Sequence, residues 1–299
     1  MPRSHLGYRT WTGPLHPRIL RFFPIARAGV KLVFRRRIFR FFFLLGLVNF
    51  LFHFAIIYFI VQVMAELPQR GMRGNPFIDQ FAFTGTGKSY RDFIYLQDKV
   101  VTVFLAFAGS ILVGNDFRFR SVAFYLSKPI GKLEYFLGKV GAIAGLAALI
   151  TLVPALVLFL EYGAFTESLD YYFESQRIFW AILGYGALVS LSSAVLLLGV
   201  SALLERTVPI AALWCAILVF LPLVGELFRD FSRNRGSDEW AWSLLNYWTV
   251  LRWISNVFFG IREEVYGERL LLAVLVLAAW MSLSLWAFWW KVRAVDVVR

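Results

Sequence analysis

Residues 114–139, GNDFRFRSVAFYLSKPIGKLEYFLGK, decide how the chain is organised. The stretch carries five cations, Arg118, Arg120, Lys128, Lys132 and Lys139, and separates two apolar runs close to the length that crosses a bilayer. Taken alone, those charges mark the side of a membrane on which the loop stays, since Lys and Arg are retained on the cytoplasmic side during insertion. Phe117, Phe119, Phe124 and Tyr125 interleave with them, which a topology signal does not need. Rings and charges together predict a short helix with an apolar face, shaped to enter a groove on another protein, and a turn at 127–131.

Outward from this loop the chain is dominated by apolar residues. They make up 59% of it, against roughly 45–50% in soluble domains. Crossing about 30 Å of hydrocarbon takes roughly 20 helical residues, and six runs of that order are visible, at 41–64, 96–114, 140–162, 178–204, 208–228 and 270–290. The pattern predicts an all-α polytopic membrane protein with six transmembrane helices. Asp98 and Lys99 fall at the outer end of the second run, which is the shortest. Residues 240–261 are rich in aromatics and nearly long enough to cross, but a seventh crossing would bring Arg252 to mid-membrane, at about 2.5–3.5 kcal/mol. They are expected to lie in the interface or re-enter it ahead of the last span, with Trp240, Trp242, Trp248 and Trp253 at the outer headgroups.

The net charge of +12 is distributed unevenly. Residues 1–40 hold ten Lys/Arg and no Asp or Glu; with the loop, the 205–207 turn and the tail at 291–299, the segments expected inside hold 19 basic and 4 acidic residues, against 12 and 15 elsewhere. This asymmetry places both termini in the cytoplasm and makes anionic lipid, not nucleic acid, the nearest partner of the basic excess. Pro24 can open a helix in which Arg27, Lys31 and Arg35 recur at i, i+4 and i+8 while Ala26, Val30 and Val33 fall on the other side. Such an amphipathic helix lies along the headgroups. The organisation expected is therefore a basic tail and interfacial helix at 1–40, a six-span domain at 41–290 and a short cytoplasmic tail at 291–299. The first apolar run is too long for a signal-peptide core and is expected to remain as an anchor.

Several chemistries are disfavoured. The run Gly85-Thr86-Gly87-Lys88-Ser89 ends like a phosphate-binding loop, yet Ala82 stands where the pattern needs its first glycine. His5, His16 and His53 are the only histidines and Cys215 the only cysteine, too few for a metal or haem centre, and no cofactor is expected. Ser110 and Ser190 lack the surroundings of a nucleophile. His53, midway along the first run, reads either as a residue lining a translocation path or as a packed imidazole. With His53 the one ionisable group deep in a clear span, proton or sodium coupling is disfavoured. Gly141 with Gly145, and Gly184, Gly186, Ser190, Ser192 and Ser193, are expected to let helices approach closely.

The loop resembles the first cytoplasmic loop of the type-2 ATP-binding-cassette (ABC) permease family. Asp116 stands for the acidic residue leaving the second span, Ser121 for a small residue, Leu126-Ser127-Lys128-Pro129 for the central stretch and Gly138-Lys139 for the entry into the third span. The resemblance implies a permease subunit of an ABC exporter in the inner (cytoplasmic) membrane, with no catalytic residue of its own. Its implied partners are two copies of a separate ATPase subunit and a second permease chain, in a homo- or heterodimer. Asp116, Phe117, Arg118, Arg120, Phe124 and Tyr125 would be the first contact with the ATPase, and Arg27, Lys31 and Arg35 the second. A membrane scaffold that tethers an ATPase without transport, or a secondary transporter, are the alternative classes.

Overall fold

Backbone N–H and C=O groups in hydrocarbon must be satisfied within their own segment, and each apolar run accordingly forms one long helix. The computed structural model describes residues 21–63, 83–119, 121, 130–166, 170–204, 206–233, 240–261 and 268–296, and among them every regular element is helical. In chain order these are α1 (Phe22–Phe34), α2 (Arg37–Gln62), α3 (Gly87–Arg118), α4 (Lys132–Phe165), α5 (Gln176–Leu203), α6 (Thr207–Arg233), α7 (Tyr247–Phe259) and α8 (Glu268–Asp296). Six of them, α2 to α6 and α8, are long and apolar enough to cross a membrane, the build of a multi-pass membrane protein.

The bundle is organised around α5. Its most apolar stretch is 78% buried, against 11% in α2 and 17% in α8, whose apolar side chains face outward. Such exposure suits a lipid environment, where apolar side chains need no protein partner. Small residues on α5 admit its neighbours: Gly184 faces Phe258, Gly186 faces Leu152, and the hydroxyls of Ser192 and Ser193 bond Tyr247 of α7 at 2.8 and 3.1 Å. The prolines act as their chemistry dictates. Pro154 follows a break at Thr151, and Pro222 follows a π-helical turn at Ala216–Phe220, each relieving the clash with the carbonyl four residues earlier.

Two expectations change in detail. The second span begins at Gly87, well before the apolar run at 96–114, because the polar residues that interrupt the pattern find partners in the fold. Arg91 bonds Asn256 at 2.7 Å and pairs with Asp92, and Gln97 donates to the Gly46 carbonyl at 3.1 Å. Of the glycines expected to form a contact in α4, Gly145 faces open space; the tight approach is at Gly138 and, from α1, Gly29. A Cβ on Gly138 would stand 2.7 Å from that of Ile25, and one on Gly29 would stand 2.9 Å from that of Ala142. Residues Ile25, Gly29 and Val33 thus form the buried stripe of α1.

At 13 residues α7 is about 20 Å long, short of the roughly 30 Å of a crossing. It runs antiparallel to α3 and α5, with Phe259 against Gly87 and Gly260 against Arg177 at one end. At the other, Tyr247 reaches Ser192, about 24 Å along α5 from Gln176, and stacks on Trp280 of α8. A 3₁₀ helix, Trp240–Leu245, leads into it along α6, with Trp242 stacked on Phe228 and donating to Ser232 at 2.9 Å. The arrangement is a re-entrant hairpin. Asn246 caps the deep end of α7 by accepting from the Trp248 and Thr249 N–H groups, and Gly260, at φ +66°, closes the other.

Replacing Gly138 by Leu should drive α1 off α4, since the added side chain overlaps Ile25 and the Phe22 carbonyl. Limited trypsinolysis reads this directly: cleavage at Arg27 and Lys31 should accelerate at least several-fold while the α2–α8 bundle stays intact.

Candidate functional site

The loop singled out in the sequence is tied at its base by an ionic clasp. At the end of α3, a π-helical turn at Ser110–Gly114 gives way to the short helix Asn115–Arg118. Leu112 and Asp116 lie one turn apart there, and Tyr135 and Lys139 one turn apart on α4. The Lys139 ammonium stands 2.5 Å from Asp116 Oδ2 and donates to the Leu112 carbonyl at 2.6 Å, while the Tyr135 hydroxyl donates to Asp116 Oδ2 at 2.8 Å. The lysine side chain is 7% exposed and that of the aspartate 14%. Glu134 accepts from the Gly131 N–H at 2.6 Å and so fixes the first turn of α4. The two helices flanking the loop are therefore locked together where the loop leaves them.

Of the residues expected to grip a partner, the clasp takes Asp116 as an internal ligand and Phe117 is buried among the helices. Arg118 and Phe119 are exposed, with the guanidinium 5.3 Å from the Phe119 ring centre. Arg120, Phe124 and Tyr125 lie outside the described residues. On α1, Arg27, Lys31 and Arg35 are all exposed, opposite the stripe that packs on α4. Since Gly29 of α1 also faces Leu112, the basic face of α1 and Arg118 sit at the same end of the bundle. The structure brings together the two segments that the sequence singled out separately.

His53 has ordinary packing partners. Its Nδ1 bonds the Asn49 carbonyl at 2.9 Å and its ring meets Phe83 and Phe93 edge-on. The Gly-Thr-Gly-Lys-Ser run forms the turn that opens α3: Gly85 has φ +66°, Thr84, Thr86 and Ser89 share hydroxyl bonds, and the Tyr171 hydroxyl donates to the Gly85 carbonyl at 3.0 Å. Burial pushes the Tyr171 phenol up to about 12, so it remains a donor through the physiological range. Among the described residues no strand precedes this turn and no group of His, Cys, Asp and Glu is placed to hold a metal ion.

Over 170 residues the chain is 25% identical to the ABC transporter permease protein NatB of Bacillus subtilis (strain 168). The similarity covers 54% of this chain and 42% of that protein, so the chain spans less than half the length of the relative it matches. No protein-family profile matches it.

Sequence reasoning missed two features. Lys139 reads as one more headgroup lysine until its partner is known; the available signal was an acid and a base placed at the two ends of one loop. Asp98, expected at the outer end of its span, lies eleven residues inside α3 and is 1% exposed. Glu161, near the far end of α4, is also buried. His53 is therefore not alone as an ionisable group within the spans, and the argument against ion coupling drawn from that loses its premise.

Lys139→Met should destabilise the protein by about 3–5 kcal/mol, the range for removing one partner of a buried ion pair. The double variant Asp116→Asn with Lys139→Met should recover part of that loss, because no uncompensated charge remains. A double-mutant cycle of denaturation in detergent measures both.

Proposed function

We propose that this chain is a permease subunit of an ABC exporter of the type-2 kind, moving its substrate with ATP hydrolysed by a separate subunit. The observation that carries the reading is the convergence, at one end of the bundle, of the exposed cations of α1 with Arg118 at the base of the clasped loop. The similarity to an ABC transporter permease supports it. In this reading that end faces the cytoplasm, in line with the positive-inside distribution of Lys and Arg, and both ends of the chain lie on that side of the inner membrane. A second permease chain would pair with this one, and two ATPase subunits would dock beneath.

The mechanical consequence follows from the contacts. Arg118 and the following residues would meet the ATPase, with Arg120, Phe124 and Tyr125 completing the face, while Arg27, Lys31 and Arg35 would make a second contact. Asp116 would act by transmission: through Lys139 and Tyr135, displacement of the loop moves α3 and α4 together instead of bending the connection between them. Because α1 packs on α4 over close glycine contacts, a push on α1 would reach the same helix. Closure of the two ATPase subunits is then delivered to the spans as a rigid-body tilt.

Reversing Arg118 and Arg120 to Glu should abolish co-purification with the ATPase or uncouple ATP hydrolysis from transport, leaving the bundle folded. Reversal of Arg27 and Lys31 should give a partial loss. Unchanged association and coupled ATP hydrolysis in both variants would remove the proposed interface.

A further inference from the structure

Among the described residues Asp98 and Glu161 are the buried carboxylates that carry oxygens without a hydrogen-bond partner, and Asp98 is the one on α3, the helix that packs on α7. Asp98 lies about 16 Å beyond Gly87, 1% exposed, and its Oδ1 has no hydrogen-bond partner. Among the described residues it makes no ion pair. The cations nearby are held by other groups. Arg91 is paired with Asp92 and bonded to Asn256, and Arg252 lies 3.8 Å from Asp92 and over the Tyr95 ring. Lys99, next in sequence, is the cation whose charge reaches Asp98, but it makes no ion pair with it: its ammonium lies 4.6 Å from the Tyr95 ring centre and 5.8 Å from that of Trp248.

The other elements packed on this stretch bring no counter-charge. From α5 comes Tyr185, fully buried, whose hydroxyl is also unpartnered; from α7 comes Tyr247, whose hydroxyl is held by Ser192 and Ser193. Both phenols sit within the electrostatic reach of Asp98. Of the titratable groups of α2, Arg37, Arg40 and Tyr58 are exposed toward its ends and His53 packs on Phe83 and Phe93. On α6 the contact is Trp214, uncharged, donating to the Thr102 carbonyl; of the carboxylates of α4, Glu134 sits in the first turn and Glu161, buried without a hydrogen-bond partner, lies near the C-terminal end.

We propose that Asp98 is a proton-binding site that holds the re-entrant helix α7 in its seat between α3 and α5. An ionised carboxylate with an unpaired oxygen, away from water and without a counter-ion, is strongly disfavoured. A bound proton removes the charge and turns one oxygen into a donor. It also needs no coordination shell, whereas an alkali ion needs several oxygens and the Tyr247 hydroxyl is already committed. Loss of the proton to solvent leaves a carboxylate that must gain water. The layer that can open to admit it is the α3–α7 contact, where the Asp92–Arg252 pair is already partly open to water and the buried Arg91–Asn256 bond must break for α7 to leave. Protonated, Asp98 stabilises the seated helix; on the alkaline side that stabilisation is lost and α7 is released.

The proposal does not depend on the transport reading, and its test needs no ATPase. The full chain in lipid nanodiscs should show an infrared carbonyl band of a protonated carboxylic acid near neutral pH, absent in Asp98→Asn. Amide exchange over 247–259 should coincide in the two proteins well below neutrality and run several-fold faster in the wild type well above it, because Asn cannot ionise. Should the Asn variant fail to fold, aspartate-specific isotope labelling of the wild type assigns the band. Absence of the carboxylic acid band at neutral pH overturns the proposal. So does exchange of α7 that follows alkali-ion concentration at fixed pH.

Discussion

A helix in hydrocarbon satisfies its own backbone and can take back a Ser or Thr hydroxyl, as with Thr102 and Ser190, but its longer and charged side chains depend on partners from other helices. That constraint explains why α3 is the hub of the polar contacts even though α5 is the most buried element. Arg91, Gln97 and Asp116 of α3 reach α7, α2 and α4 respectively, and the Thr102 carbonyl receives Trp214 from α6. Each contact lets a residue that would weaken a transmembrane segment stand inside one. Together they set the register of α3 against four neighbours.

The same requirement shapes the two ends of the bundle differently. At the α1 end, one buried ion pair with a supporting phenol ties the helices on either side of a loop, and small residues let an amphipathic helix lie closely on α4. A contact of this kind is stiff, because neither charge can leave without stranding the other. At the opposite end, the α3–α7 contact combines the buried Arg91–Asn256 bond with a pair open to water, Asp92 and Arg252, which are 44% and 39% exposed. Such pairs hold weakly and exchange partners easily.

Much of the architecture was legible as composition and period. Six apolar runs became six long helices and the aromatic segment before the last span proved too short to cross, while the buried stripe of α1 kept Val33 but replaced the expected Ala26 and Val30 with Ile25 and Gly29. The candidate site was legible only in part. The exposed cations of α1 and Arg118 stand where their pattern put them, while Phe117 turned inward and Asp116 was taken up by Lys139. Nothing local distinguishes a lysine at the headgroups from one in a clasp, since both end an apolar run.

The sequence by itself determined which segments are long and apolar enough to cross a membrane and how unevenly Lys and Arg are spread between them, because both are sums over residues that contribute independently. Only the tertiary structure decided where α3 begins, which glycines are close contacts, and that Asp98 is buried without a counter-ion. Those are properties of pairs. A polar residue ends a transmembrane helix or continues it according to whether another helix supplies its partner, and that partner lies far away in the chain: Asn256 for Arg91, Gly46 for Gln97 and, for Asp98, none among the described residues.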